Sequence, residues 1–254
     1  MAGHSKWANI KRQKARVDAV KGKTFTQLSR AIIVAARSGI PDPEGNFQLR
    51  TAIEKAKAAG IPNDNIDRAI AKGAGTWDGG SAQLEAIRYE GYGSGGVAIL
   101  IEALTDNRNR TAADLRVAFS KRGGNLGETG CVGWMFEQKG VCILEGIQED
   151  ELLEASVEGG AEYYELIADE DVEGAEVFTE VGNLEILQKT LKAKGFDVTD
   201  VEVRWIPNNT VEVTDIELAR SLLKLIDALE GLDDVQNVTA NFEMSDELMT
   251  MSVA

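Results

Sequence analysis

Apolar positions recur at helical spacing through the first third of the chain, and at strand-like spacing between helices beyond it. Thr24 and Gln27 make a T-x-x-Q capping box, and Phe25, Leu28 and Ile32 follow at helical intervals. A helix is therefore predicted to run to about Ser38, where Gly39 and Pro41 end it. A second helix is predicted over 44–59, burying Leu49, Ile53 and Ala56, with Gly60 and Pro62 closing it. A third starts at an Asn63 cap, buries Ile66 and Ile70, and ends at Gly73. Three short helices with brief links make a small bundle.

From residue 86 the pattern alternates. Strands are predicted at 86–90 and 97–105, a helix at 110–122, and strands at 132–137 and 141–144. A helix at 149–158, strands at 162–167 and 176–179, a helix at 184–194 and a strand at 198–206 follow. Strand 210–213, helix 216–230 and strand 235–242 complete the pattern. Between 141 and 206 the order is β-α-β-β-α-β, a ferredoxin-like unit in itself. The elements flanking it make a second such unit if they pair with each other, since two separate half-units would leave open strand edges. The expected fold is multidomain α and α+β. A helical domain at 1–77 precedes an α+β domain built from 78–136 and 207–248, with a third domain, 137–206, inserted in it. The last two are expected to be ferredoxin-like.

Charge changes this picture by dividing it. Residues 1–75 carry 14 Lys+Arg against 6 Asp+Glu, whereas 137–254 carry 7 against 29. A basic head on an acidic body suits a polyanion held at one end and repelled at the other, and nucleic acid is the natural candidate. The first 23 residues concentrate the effect, with Lys6, Lys11, Arg12, Lys14, Arg16, Lys21 and Lys23 against Asp18 alone. On a helical wheel Trp7, Ile10, Val17 and Val20 fall loosely on one side, while the cations point nearly all round. That distribution argues against a membrane-surface helix and for a segment surrounded by phosphates. Trp7 either stacks on a base or pins the segment to the bundle. No run of 18 apolar residues and no signal-peptide pattern occurs, and the two cysteines, Cys131 and Cys142, form no C-x-x-C. The expectation is a cytoplasmic protein without a membrane partner.

Catalytic chemistry finds little support. Gly91-x-Gly93-x-x-Gly96 matches a dinucleotide fingerprint in letters, but it lies between two strands and reads as a hairpin loop. Gly22-Lys23-Thr24 ends like a P-loop, yet Val17 stands where its first glycine is needed. A single histidine, His4, excludes His-based zinc sites and most His-dependent triads. The carboxylates of 137–206 read as a solvated acidic face. No enzyme, cofactor, metal or small-molecule substrate is expected. Asn107-Arg108-Asn109-Arg110-Thr111 is different, because it joins two arginines to a helix start that Thr111 or Asn109 could cap. Arg108 and Arg110 would there either hold a phosphate or pair with neighbouring acids.

Residues 1–11, MAGHSKWANIK, resemble the N-terminal signature of the YebC/PmpR family, and the likeness continues through 89–93, 106–111, 123–127, 225–230 and 233–238. The resemblance implies an all-helical N-terminal domain and two α+β domains. It also implies a role in gene expression: bacterial members are described as probable transcriptional regulators that bind DNA. Mitochondrial relatives are translational activators of cytochrome c oxidase, and bacterial ones are linked to the ribosome and to proline-rich nascent chains. Arg12 stands where the family often has histidine, which keeps the charge, and Cys131 where it often has serine. The expected function is a monomeric nucleic-acid-binding regulator, with DNA or ribosomal RNA, and through it the ribosome, as partner. Its expected contacts are His4, Lys6, Trp7, Lys11, Arg12, Lys14, Arg16, Lys21, Lys23, Arg108 and Arg110.

Overall fold

The computed structural model describes residues 21–77, 84–147, 149–169, 172–245 and 247–249. Two compact units make up the chain, Met1–Met135 with Asn209–Ala254, and Phe136–Asn208.

The first unit opens with α1 (Lys21–Ser38), α2 (Phe47–Ala58) and α3 (Asn63–Gly73). Helix α1 begins three residues before the capping box, so Thr24 lies inside it and the box is not its cap. Nothing in Lys21–Lys23 forbids helical backbone, and Gly22 costs only about 1 kcal/mol there. Helix α2 starts at Phe47 rather than near Glu44, because the Asn46 side chain accepts from Leu49 N–H (3.0 Å). The same amide donates to the Ala35 and Ile40 carbonyls, both at 2.9 Å, and so fixes the turn between α1 and α2. Ile32, Ile33, Leu49, Ile53 and Ile66 form the core of the bundle. Gly73 lets α3 approach α1 closely, since a Cβ there would lie 2.6 Å from the Ile33 carbonyl oxygen.

β1 (Glu85–Tyr92) and β2 (Ala98–Thr105) form an antiparallel hairpin, followed by α4 (Arg108–Lys121) and the short β3 (Asn125–Leu126). The glycine-rich fingerprint is the turn of this hairpin, with Gly95 and Gly96 at positive φ. Gly91 serves packing: a Cβ would come 2.8 Å from the Phe119 ring and 2.7 Å from the Asn125 carbonyl oxygen.

The second unit contains β4 (Phe136–Glu145), α5 (Glu149–Glu158), β5 (Tyr163–Asp169), β6 (Val172–Thr179), α6 (Leu184–Ala193) and β7 (Asp197–Pro207). Its antiparallel sheet has the order β5-β6-β4-β7, which is the ferredoxin-like arrangement. The strands predicted at 132–137 and 141–144 are replaced by one long β4, and Gly133–Met135 forms a 3-10 turn. Gly140 lies within this strand and packs against α6, where a Cβ would sit 2.9 Å from Leu184 Cβ. Phe136 pairs with Pro207, so the two ends of the unit meet in one ladder.

The chain then completes the first unit with β8 (Val211–Glu212), α7 (Ile216–Glu230), β9 (Val235–Ala240) and β10 (Phe242–Glu243). Its sheet order is β3-β1-β2-β9, with β9 antiparallel to β2. The position expected for the strand after the insertion is filled by β1, while β8 pairs with β10 in a separate parallel ladder. β1 takes that place because all eight of its residues pair with β2 across a short turn, and two of them pair with β3. Asp215 caps α7 through Leu218 N–H, and Leu222, Leu225, Ile226 and Leu229 join Ile99, Ile101, Leu115 and Phe119 in the largest core. Full burial of each such side chain contributes about 1.5–3 kcal/mol. Among the described residues, no helix is long and apolar enough to cross a membrane.

Candidate nucleic-acid interface

His4, Lys6, Trp7, Lys11, Arg12, Lys14 and Arg16 lie outside the described residues, and Lys21 and Lys23 fall in the first turn of α1. Five of the seven cations further along the bundle fall into two groups. Arg30 and Arg50 are tied inward: Arg30 to Asp234 (3.3 Å), and Arg50 to the Pro43 carbonyl (2.9 Å). Arg37, Lys57 and Arg68 are exposed, each in the last or next-to-last turn of its helix. Cations near helix C-termini also complement the helix dipole, a modest stabilising term.

The Arg108–Thr111 segment is resolved by its geometry. Asn107, and neither Asn109 nor Thr111, caps α4, its side chain accepting from Arg110 N–H at 3.1 Å. Arg110 donates to Asp106 and to Asp234, both at 2.8 Å. The same Asp234 oxygen accepts from Thr111 Oγ1 (2.8 Å) and Thr105 Oγ1 (3.1 Å). Burial alone would raise the Asp234 pKa, but Arg110, Thr111 and Thr105 outweigh it and hold the carboxyl below its ordinary range. Asp234 thus fastens α1, the end of β2 and the start of α4 to the chain entering β9. The Arg110 guanidinium is anchored in this node through one nitrogen, Nη2, and 47% of its side chain stays exposed. Arg108 differs, with 69% of its side chain exposed and a loose 3.7 Å approach to Glu85. Asp234 escaped the sequence reading because its arginine lies 124 residues away. The faint signal was a pair of acids, Asp233-Asp234, at the start of a predicted strand.

A second buried carboxylate organises the loop between β3 and β4. Glu90 accepts from the backbone N–H groups of Gly130 (2.9 Å), Val132 and Gly133 (both 2.7 Å). Burial opposes its ionisation, yet the three donors keep its pKa below the ordinary value. The loop so fixed carries Trp134, 70% exposed, whose indole N–H donates to the Cys131 carbonyl (3.3 Å).

In the Phe136–Asn208 unit, four of its five basic side chains sit against carboxylates. Arg204 grips Glu176 with two nitrogens at 2.9 and 3.0 Å, and Lys139 lies 2.7 Å from Glu162. Glu176 is fully buried, so the acids here do not all form a solvated face as expected. Arg204 makes that burial tolerable by supplying a fork of donors in fixed geometry. Among the described residues, no three His, Cys, Asp or Glu side chains gather so as to hold a metal ion.

Comparison with known proteins places this arrangement. Residues 5–76 match the TACO1/YebC protein N-terminal domain, and 84–242 match the TACO1/YebC second and third domain. A probable transcriptional regulatory protein of Trichormus variabilis is 79% identical over 255 residues, covering 100% of both chains. One from Nostoc punctiforme is 76% identical with the same coverage. The crystal structure of a conserved hypothetical protein, Aq1575, from Aquifex aeolicus is similar at a TM-score of 0.81 and 46% identity. It covers 91% of this chain and 94% of its own. By sequence over nearly its whole length, and by fold, the chain belongs to the TACO1/YebC family.

Proposed function

We propose that this protein is a non-enzymatic, nucleic-acid-binding regulator of gene expression, monomeric and cytoplasmic, that grips phosphates through its basic N-terminal segment. The reversal of charge along the chain carries the proposal: 14 cations against 6 acids over 1–75, then 7 against 29 over 137–254. Neutralisation of Arg204, Lys139, Lys189 and Lys194 by neighbouring acids supports it, since the acidic unit then offers a polyanion little to hold. The contacts are His4, Lys6, Trp7, Lys11, Arg12, Lys14, Arg16, Lys21 and Lys23, with Arg108 and Arg110 as a second point at the start of α4. DNA is the first reading, in line with relatives named probable transcriptional regulatory proteins. Ribosomal RNA is the second, favoured by the all-round placement of cations in the first 23 residues, which suits a segment surrounded by phosphates.

Sedimentation of cell lysate through a sucrose gradient separates the two. A DNA regulator stays out of the ribosomal-subunit fractions, whereas an rRNA reader migrates with them. Purified protein that binds neither polymer at low salt contradicts both.

A further inference from the structure

The end of α3 places an aromatic ring against two cations. Gly75 takes φ +72°, its N–H donates to the Lys72 carbonyl (3.3 Å), and Thr76 N–H donates to the Ala71 carbonyl (3.0 Å). These two bonds make a Schellman cap, which turns the chain back along the helix it has just left. The next residue is Trp77. Its ring receives the Arg68 guanidinium at 5.6 Å and the Lys72 ammonium at 6.0 Å from the ring centre. Arg68 and Lys72 are one turn apart and share a strip of α3, so both approach from the helix side. Trp77 retains 39% of its surface exposed.

A large indole kept at the surface, fixed by a rigid cap and bordered by two cations, has the composition of a base-stacking platform. The ring supplies a sequence-tolerant face for a nucleobase, and the cations supply contacts to the flanking phosphates. A base inside a duplex cannot reach such a ring, because both of its faces are already stacked. A ring that served only to brace the cap would do so equally well as an aliphatic side chain facing inward, without two cations over it. We infer that Trp77, with Arg68 and Lys72, binds an unpaired nucleobase, so that this protein engages single-stranded or looped nucleic acid at the end of α3. The inference rests on the nucleic-acid reading above and specifies the form of the ligand.

The test uses the full chain and three labelled probes of one mixed sequence: a 12-nucleotide single-stranded DNA, the same RNA, and the DNA duplex. Fluorescence anisotropy at fixed salt gives each affinity. Trp77→Ala should weaken both single-stranded probes by roughly 5- to 150-fold and leave the duplex within about twofold. The slope of log K against log salt should not change, because the lost contact is uncharged. Trp77→Phe should recover most of the affinity, which keeps the test valid if the alanine variant melts early. Arg68→Gln with Lys72→Gln should instead lower the slope by about one to two. The single-stranded probe bound more tightly, RNA or DNA, identifies the source of the base. Equal weakening of single strand and duplex by Trp77→Ala, or weakening of neither, overturns the inference while leaving nucleic-acid binding intact. Failure of the wild-type chain to bind any of the three probes overturns both.

Discussion

Asp234 and Glu90 show at the residue scale how a mostly acidic chain uses buried charge. Each carboxylate is almost fully buried and saturated with donors, so removing the charge should cost far more than removing an exposed one. Asp234→Asn is expected to lower stability by about 3 kcal/mol, read from urea unfolding. Arg110→Ala should lower the melting temperature, whereas Arg108→Ala should leave it unchanged. A drop with Arg108→Ala and none with Arg110→Ala would reverse the roles assigned to them. Both carboxyls have folded pKa values below their ordinary ones, so the folded state favours their ionised form. Their contribution is complete above the unfolded values, about 3.9 for Asp and 4.3 for Glu. It is lost as pH falls through those values toward the folded ones. Urea midpoints should thus decline below about pH 5, and Glu90→Gln should flatten that decline. An equally steep acid limb in Glu90→Gln would remove Glu90 from the account.

Glycines that touch other elements matter more for α3, β1 and β4 than their local propensity suggests. Gly91→Ala puts a methyl group against backbone and the Phe119 ring, and should destabilise by about 1–3 kcal/mol. Gly182→Ala meets nothing within 4 Å and should be close to neutral. Chemical denaturation of the two variants checks the contrast. The same distinction explains which elements were legible in the sequence. Leu49, Ile53 and Ala56 in α2, and Ile66 in α3, announce their helices because their spacing is local. The continuity of β4 through Gly140 is not legible locally, because the residue packs against Leu184, forty-four residues on in the chain. Caps were partly legible: Asn107 and Asn46 are ordinary capping residues, but each had neighbours of equal merit, and only tertiary contacts choose among them.

Across the whole molecule the β-α-β-β-α-β order in 141–206 foretold the four-stranded sheet of the second unit, while the role of β1 was not foretold. β1 fills the gap between β2 and β3 by pairing with strands close to it in the chain, and the alternation of elements alone does not give that place in the sheet. The β4–β7 ladder brings Phe136 and Pro207 together, so residues 136–208 expressed alone should unfold in one cooperative thermal transition. A segment without such a transition would make the unit dependent on the rest. The candidate contacts were legible only as charge: their number and position stand in the sequence, but Arg108 and Arg110 looked alike until Asp234 separated them. The central claim is that the basic N-terminal segment holds nucleic acid through phosphates, and salt dependence tests it most directly. Affinity of the full chain for a labelled nucleic acid, measured from about 50 to 200 mM salt, should give a log–log slope of about −3 to −5. Removing residues 1–23 should weaken binding and bring the slope toward zero. An unchanged affinity and slope in the shortened chain would contradict the account.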